Sequence, residues 1–244
     1  MGNKGVVGQC KLCQCESKVL HKSHILSKFF FENSKMFNEN HFIHRFKIDT
    51  NSLALTKLKL TPDAIYQMDL FCKSCEEIMR NYETVLRENI FGEKPNDNVK
   101  VYPNKVVKTK YDYASVKLGL LSNLYRMAIS NREEMSAVNL DKKIIEELRV
   151  MIFNNEPKQW FEFPILMFLN PTGYNFFLTP IHNKNVVQLV LGPILIFFII
   201  KMPHTVYIEH IKQLAVGDKL TLIRNIPTKF VFEMCGFKNF DPII

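Results

Sequence analysis

Leu70-Phe71-Cys72-Lys73-Ser74-Cys75-Glu76, read together with Cys10-Lys11-Leu12-Cys13 earlier in the chain, determines how the first ninety of the 244 residues fold. The two Cys-x-x-Cys pairs are separated by 58 residues. A two-residue gap lets both thiolates of a knuckle converge on one ion, and two knuckles complete a tetrahedral shell. Such a Cys10, Cys13, Cys72 and Cys75 site keeps no open position, so the zinc it implies is structural, and its binding energy becomes folding energy. Cys15 extends the first pair to C-x-x-C-x-C and can compete as a ligand, although we read it as a spectator. His41 and His44 are alternative donors for a mixed site, and Cys235 reads as a core residue.

Working outward, the composition is that of a globular protein: 47% hydrophobic, 23% charged, with twenty phenylalanines to fill a core. The net charge of +8 is spread along the chain without a basic block, so it favours polyanionic partners only weakly. The most apolar run, Val186–Ile200, contains Gln188 and is broken by Gly192-Pro193. It reads as two buried strands and not as a membrane span. With nothing resembling a signal peptide, the expected location is the cytoplasm, where paired cysteines signal metal rather than disulfides.

Three further segments follow 1–92. Residues 93–112 are polar and Pro/Lys-rich and read as a connector. Residues 113–155 read as helical: Val116, Leu120, Leu121, Leu124 and Met127 fall on one face of a helix over 113–130. Asp141 is the expected N-cap of a second helix with an Ile144, Ile145, Leu148 and Ile152 stripe. Residues 156–244 alternate short apolar and aromatic runs with turn signals, which predicts a mostly antiparallel sheet. No Ser/His/Asp order, Gly-rich phosphate loop or carboxylate pair stands out in that sheet. The expected fold class is therefore α+β.

The order Cys-x-x-Cys, then Ser23-His24-Ile25-Leu26, then Leu70-Phe71-Cys72-x-x-Cys75-Glu76 resembles zinc-containing HNH endonucleases. In that family a knuckle precedes a hairpin carrying Asp-His-Ile, and a second knuckle opens the helix of a ββα-metal, treble-clef unit. Leu121-Ser122-Asn123-Leu124-Tyr125-Arg126-Met127-Ala128 is similar to a helical signature found behind such modules in uncharacterised bacterial proteins. The likeness covers about residues 8–90, and 111–153 more loosely.

The resemblance implies a treble-clef module over 1–92 and a metal-dependent nuclease, with DNA preferred over RNA as substrate and prokaryotic defence as the setting. His24 stands at the general base and Glu76 at a position that binds Mg²⁺ or Mn²⁺, with Glu83 two helical turns on. Lys22, Lys28 and Arg126 would contact the nucleic acid. Two departures stand out: Ser23 replaces the usual aspartate, and Glu76, beside Glu77, replaces the usual histidine or asparagine. Asn51 is the candidate for the family's orienting asparagine, and 29–60 is long enough to hold an insertion. The bland alternatives are a core histidine at position 24, a solvated face for Glu76 and Glu83, and a buried ion pair for Arg126. A non-catalytic zinc module binding nucleic acid or a protein partner, with homo-oligomerisation open, is the rival to the nuclease.

Overall fold

The computed structural model describes residues 6–33, 42–48, 55–61, 65–92, 98–103, 105–169, 176–201, 216–217 and 219–224. They form a mixed α+β fold with four α-helices among the described residues and a large, mostly antiparallel sheet. The chain divides into two compact units. The first comprises Met1–Phe30, Asp63–Glu93 and Asp112–Lys158; the second comprises Phe31–Pro62, Lys94–Tyr111 and Gln159–Ile244. No described helix is long and apolar enough to cross a membrane.

In the first unit, β1 (Val6–Gly8), β2 (Lys18–His24) and β5 (Tyr66–Cys72) make a three-stranded antiparallel sheet in the order β1-β2-β5. The first knuckle is the β1–β2 connection, and its reversal uses left-handed backbone at Gln14 (φ 59) and Ser17 (φ 52). A bulge in β2 between His21 and Ser23 changes the phase of the strand. His21 and Lys22 are both exposed in succession, and Ser23 turns fully inward.

Helix α2 (Lys73–Phe91) starts directly where β5 ends, so the second knuckle spans the strand-to-helix junction. It buries Cys75, Met79, Tyr82, Leu86 and Ile90, an i, i+4, i+7 spacing that forms one apolar stripe. Glu76 in its first turn suits the positive end of the helix dipole. Helix α3 (Tyr113–Ile129) is capped by Asp112, whose carboxylate accepts from the Ser115 amide at 3.0 Å and the Ser115 hydroxyl at 2.6 Å.

The one-sided stripe expected for α3 is not what the fold holds: every residue from Val116 to Met127 is buried. A helix polar on one face can be buried all round only if those polar groups find partners, and Ser122, Asn123 and Arg126 do. Gly119 lets α3 approach α2 closely, since a β-carbon there would sit 3.1 Å from the Tyr82 carbonyl oxygen. Helix α4 (Lys142–Asn154) buries Leu148, Met151 and Ile152 and ends at Asn155 in left-handed geometry. Asp141 occupies its N-cap position without a side-chain cap bond.

The second unit is built on a nine-stranded sheet. Its strands are β3 (Ile43–Ile48), β4 (Leu55–Thr61), β6 (Val99–Tyr102), β7 (Lys105–Lys108), β8 (Ile165–Leu169), β9 (Phe176–Asn183), β10 (Val186–Leu191), β11 (Ile194–Ile199) and β12 (Leu220–Arg224). The order is β4-β3-β9-β10-β11-β8-β12-β7-β6, antiparallel except for the β3–β9 and β12–β8 pairs. Gly192-Pro193 is indeed a two-residue hairpin turn, with Gly192 at φ 55 in its first position. All six residues of β11 are buried, so this strand is covered on both faces.

The sheet recruits segments that the sequence placed elsewhere. The 29–60 insertion supplies β3 and β4 at one edge, and the 93–112 connector supplies the β6–β7 hairpin at the other. Neither segment carries a clean strand alternation: Ile43–Ile48 and Leu55–Thr61 alternate only in part, and Lys105-Val106-Val107-Lys108 does not alternate. The boundary between the units falls inside the short helix α1 (Lys28–Asn33).

Candidate metal centre and the polar cluster beside it

The first knuckle is shaped by its own backbone: Gln14 N–H donates to the Cys10 carbonyl at 2.9 Å, and Cys10 N–H to the Cys15 carbonyl at 3.1 Å. Lys11 N–H donates to the Leu70 carbonyl at 2.8 Å, which brings the knuckle against β5 and hence against Cys72. The two carbonyls between the paired cysteines are also taken. Tyr125 of α3 donates its hydroxyl to Lys11 at 2.6 Å, and Arg149 of α4 donates to Leu12 at 2.7 Å. Arg149 is itself braced by Glu146 at 2.7 Å.

The sulfurs of Cys10, Cys13, Cys72 and Cys75 all lie within 4.8 Å of one another, three of the residues buried and Cys13 partly so. A zinc tetrathiolate with bonds of about 2.3 Å has sulfur–sulfur edges of about 3.8 Å. The Cys13–Cys72 separation of 4.0 Å matches that edge. Cys72 N–H points at the Cys10 sulfur at 3.3 Å, the bond a thiolate accepts. A hydrogen bond from Cys75 holds Cys10 down to about 4, and the same pairing drives Cys75 far up. Burial raises Cys13 to about 11. Four thiols packed so tightly cannot all ionise without a cation among them, and the donor set and spacing fit zinc. Cys15 is exposed and outside the set, its thiol directed at the Cys13 carbonyl 3.7 Å away. His44 lies on β3 in the second unit. His41, Asn51 and Cys235 fall outside the described residues.

Next to the knuckles lies a second, oxygen- and nitrogen-rich cluster. His24 ends β2 opposite Tyr66 of β5; it is half-buried and its Nε2 is closed to solvent. The bulge aims the Ser23 hydroxyl at the Glu76 carboxylate, and the two are hydrogen-bonded. Burial pushes the Glu76 carboxyl upward, opposed by the Ser23 bond and by the charge of Arg126. Glu83, seven residues on and on the same side of α2, accepts from Arg126 in an ion pair and from the Ser27 hydroxyl at 2.9 Å.

Arg126 is 2% exposed. The phosphate contact expected of it gives way to the ion pair, because no guanidinium surface is left for a ligand. Glu83 presents one carboxylate oxygen, Oε1, to Arg126 and Ser27, and its side chain is partly exposed. Lys22 is exposed, its ammonium 3.9 Å from the centroid of the Tyr66 ring, and Lys28 is exposed at the start of α1. Ser27, Asn123, Tyr125 and Arg149 carry much of the site's geometry and were not singled out from sequence. Ser122-Asn123-Leu124-Tyr125-Arg126, an unusual density of polar groups within an apolar helix, was the available signal. No protein-family model, curated protein or solved structure matches the chain.

Proposed function

We propose that the first unit is a zinc-stabilised HNH-type module, of treble-clef form, that hydrolyses phosphodiester bonds in nucleic acid. The observation that carries this reading is the meeting of Ser23-His24, at the end of β2, with Glu76, in the first turn of α2, beside a four-cysteine centre. β2 and α2 thus bring the hydroxyl of Ser23, the neighbour of His24 in the chain, to a partly buried carboxylate. The imidazole of His24 takes the proton of the attacking water as general base. Glu76 offers a hard carboxylate oxygen and Ser23 a neutral hydroxyl, a donor set that fits Mg²⁺ or Mn²⁺ completed by water and substrate phosphate. When bound, such an ion stabilises charge on the phosphorane and the departing oxygen. Lys22 and Lys28, exposed on either side of His24 in the chain, approach the sugar–phosphate backbone.

The test is cleavage of plasmid, linear and single-stranded DNA and of RNA with Mg²⁺ or Mn²⁺. Wild type is compared with a folded, zinc-replete His24→Ala variant. The expected loss in the variant is about 10²–10⁴-fold. One observation favours a second reading, a module that binds nucleic acid or a protein partner without cutting: Ser23 occupies the Glu76 carboxylate and Arg126 occupies Glu83. Wild type that is zinc-loaded, binds in a salt-dependent manner and cuts nothing would establish that alternative.

A further inference from the structure

Two polar side chains of α3, Arg126 and Asn123, reach the main chain at and just beyond His24. His24 is the last residue of β2. Arg126 Nη1 donates to the His24 carbonyl at 2.7 Å, a short, charge-assisted bond. Three residues on, Asn123 Oδ1 accepts from the Ser27 amide at 2.8 Å, while its Nδ2 donates to the Gly119 carbonyl at 2.8 Å. Arg126 is in turn fixed on its remaining sides. Its Nε donates to the Ser122 carbonyl at 3.2 Å, and Nη2 donates to the hydroxyls of Ser122 and Ser27, each at 3.3 Å, and to Glu83.

One guanidinium therefore joins the end of β2, which carries His24, to the helix α2 that carries Glu76 two turns before Glu83. A buried ion pair adds little stability compared with apolar residues of the same volume. Its geometric effect here is to set where the segment 24–27 lies relative to α2.

We infer that Arg126, backed by Ser122 and Asn123, is a positioning residue that fixes the imidazole of His24 with respect to Glu76 through the His24 main chain. This rests on the reading of His24 as the general base. It gives α3 a task in the reaction centre that no group on α3 performs by touching substrate. Because the clamp acts on the backbone, the conservative Arg126→Lys change, which keeps the charge and loses the planar fork, is enough to release it.

The experiment follows the imidazole resonances of the zinc-loaded full chain by NMR, with His24 assigned by a His24→Gln variant. Wild type is compared with Arg126→Lys and with the double variant Glu83→Gln/Arg126→Met, which leaves no buried charge unpaired. Expected in both is a displaced and broadened or doubled His24 signal at fixed pH. Zinc stoichiometry and the remaining histidines should stay as in wild type. A His24 signal that coincides with wild type in a folded variant overturns the proposal, as does loss of zinc and fold in both variants, which would make the network structural only. Where wild type cleaves, Arg126→Lys is expected to lower kcat at least about tenfold with KM nearly unchanged; an unchanged kcat also overturns it. A wild type that cuts nothing removes His24 as a base, while the NMR comparison separately reads whether Arg126 holds it in place.

Discussion

A carboxylate and a guanidinium buried side by side impose an asymmetric energy balance on this protein. Removing Glu83 alone strands the charge of Arg126, which is 2% exposed. Glu83→Gln is therefore expected to cost about 3–5 kcal/mol in chemical denaturation, and pairing it with Arg126→Met should recover most of that loss. Glu76 behaves differently. Its carboxyl is raised in the folded chain, chiefly by burial, so the native state holds its proton more firmly than the unfolded chain does. Stability then falls as pH rises above the ordinary glutamate range, where the unfolded chain has released that proton. Glu76→Gln keeps an acceptor for Ser23 without the charge. We expect it to raise the urea midpoint at pH 8, with the gain shrinking as pH is lowered, and to abolish any divalent-ion-dependent cleavage. A midpoint unchanged or lowered at pH 8 would contradict this account of the residue.

Among the elements, the knuckle is held from two directions. Its cysteine sulfurs face those of the second knuckle, and its carbonyls at Lys11 and Leu12 are gripped by α3 and α4. Tyr125→Phe leaves the Lys11 carbonyl without that donor, at a cost of about 1–3 kcal/mol if water cannot replace it. Zinc should then pass to a competing chelator measurably faster than from wild type, and an equal transfer rate would show the helices to be irrelevant to the centre. Removing the metal itself with a strong chelator is expected to unfold the knuckles, followed as loss of near-ultraviolet dichroism and recovered on adding one equivalent of zinc. At Gly119 an added β-carbon would meet the Tyr82 carbonyl oxygen at 3.1 Å and the Leu86 side chain at 3.2 Å, so Gly119→Ala requires α2 to give way locally. A cost of about 1–3 kcal/mol is expected for such overpacking, read as a lowered midpoint in urea.

At the scale of the whole molecule, the features legible in the sequence were those with a local code. The cysteine spacing specified the four-sulfur cluster, and the apolar runs at 165–169, 186–191 and 194–199 are strands. The run at 204–211 lies outside the described residues. What could not be read locally was pairing at long range. Strands β3, β4, β6 and β7 carry only two or three apolar residues each among polar and basic ones, and become strands because a distant sheet edge accepts them. The polar residues of α3 gave no hint from spacing alone that their partners sit on β2, at Ser27 just before α1, and on α2, since those partners lie 43 to 102 residues away in the chain. For the same reason Arg126 could be listed with the phosphate contacts when its charge is spent inside.

The position of β12 between β8 and β7 has a consequence for how the polypeptide is made. The β6–β7 hairpin emerges from the ribosome early, yet the strand it pairs with comes only at residues 220–224. At about 5–20 residues per second, the edge of β7 waits many seconds for its neighbour, offering unsatisfied amides to any other nascent chain. The lysines at both ends of β7, Lys105 and Lys108, are the kind of charge that keeps such a waiting edge from joining a stranger.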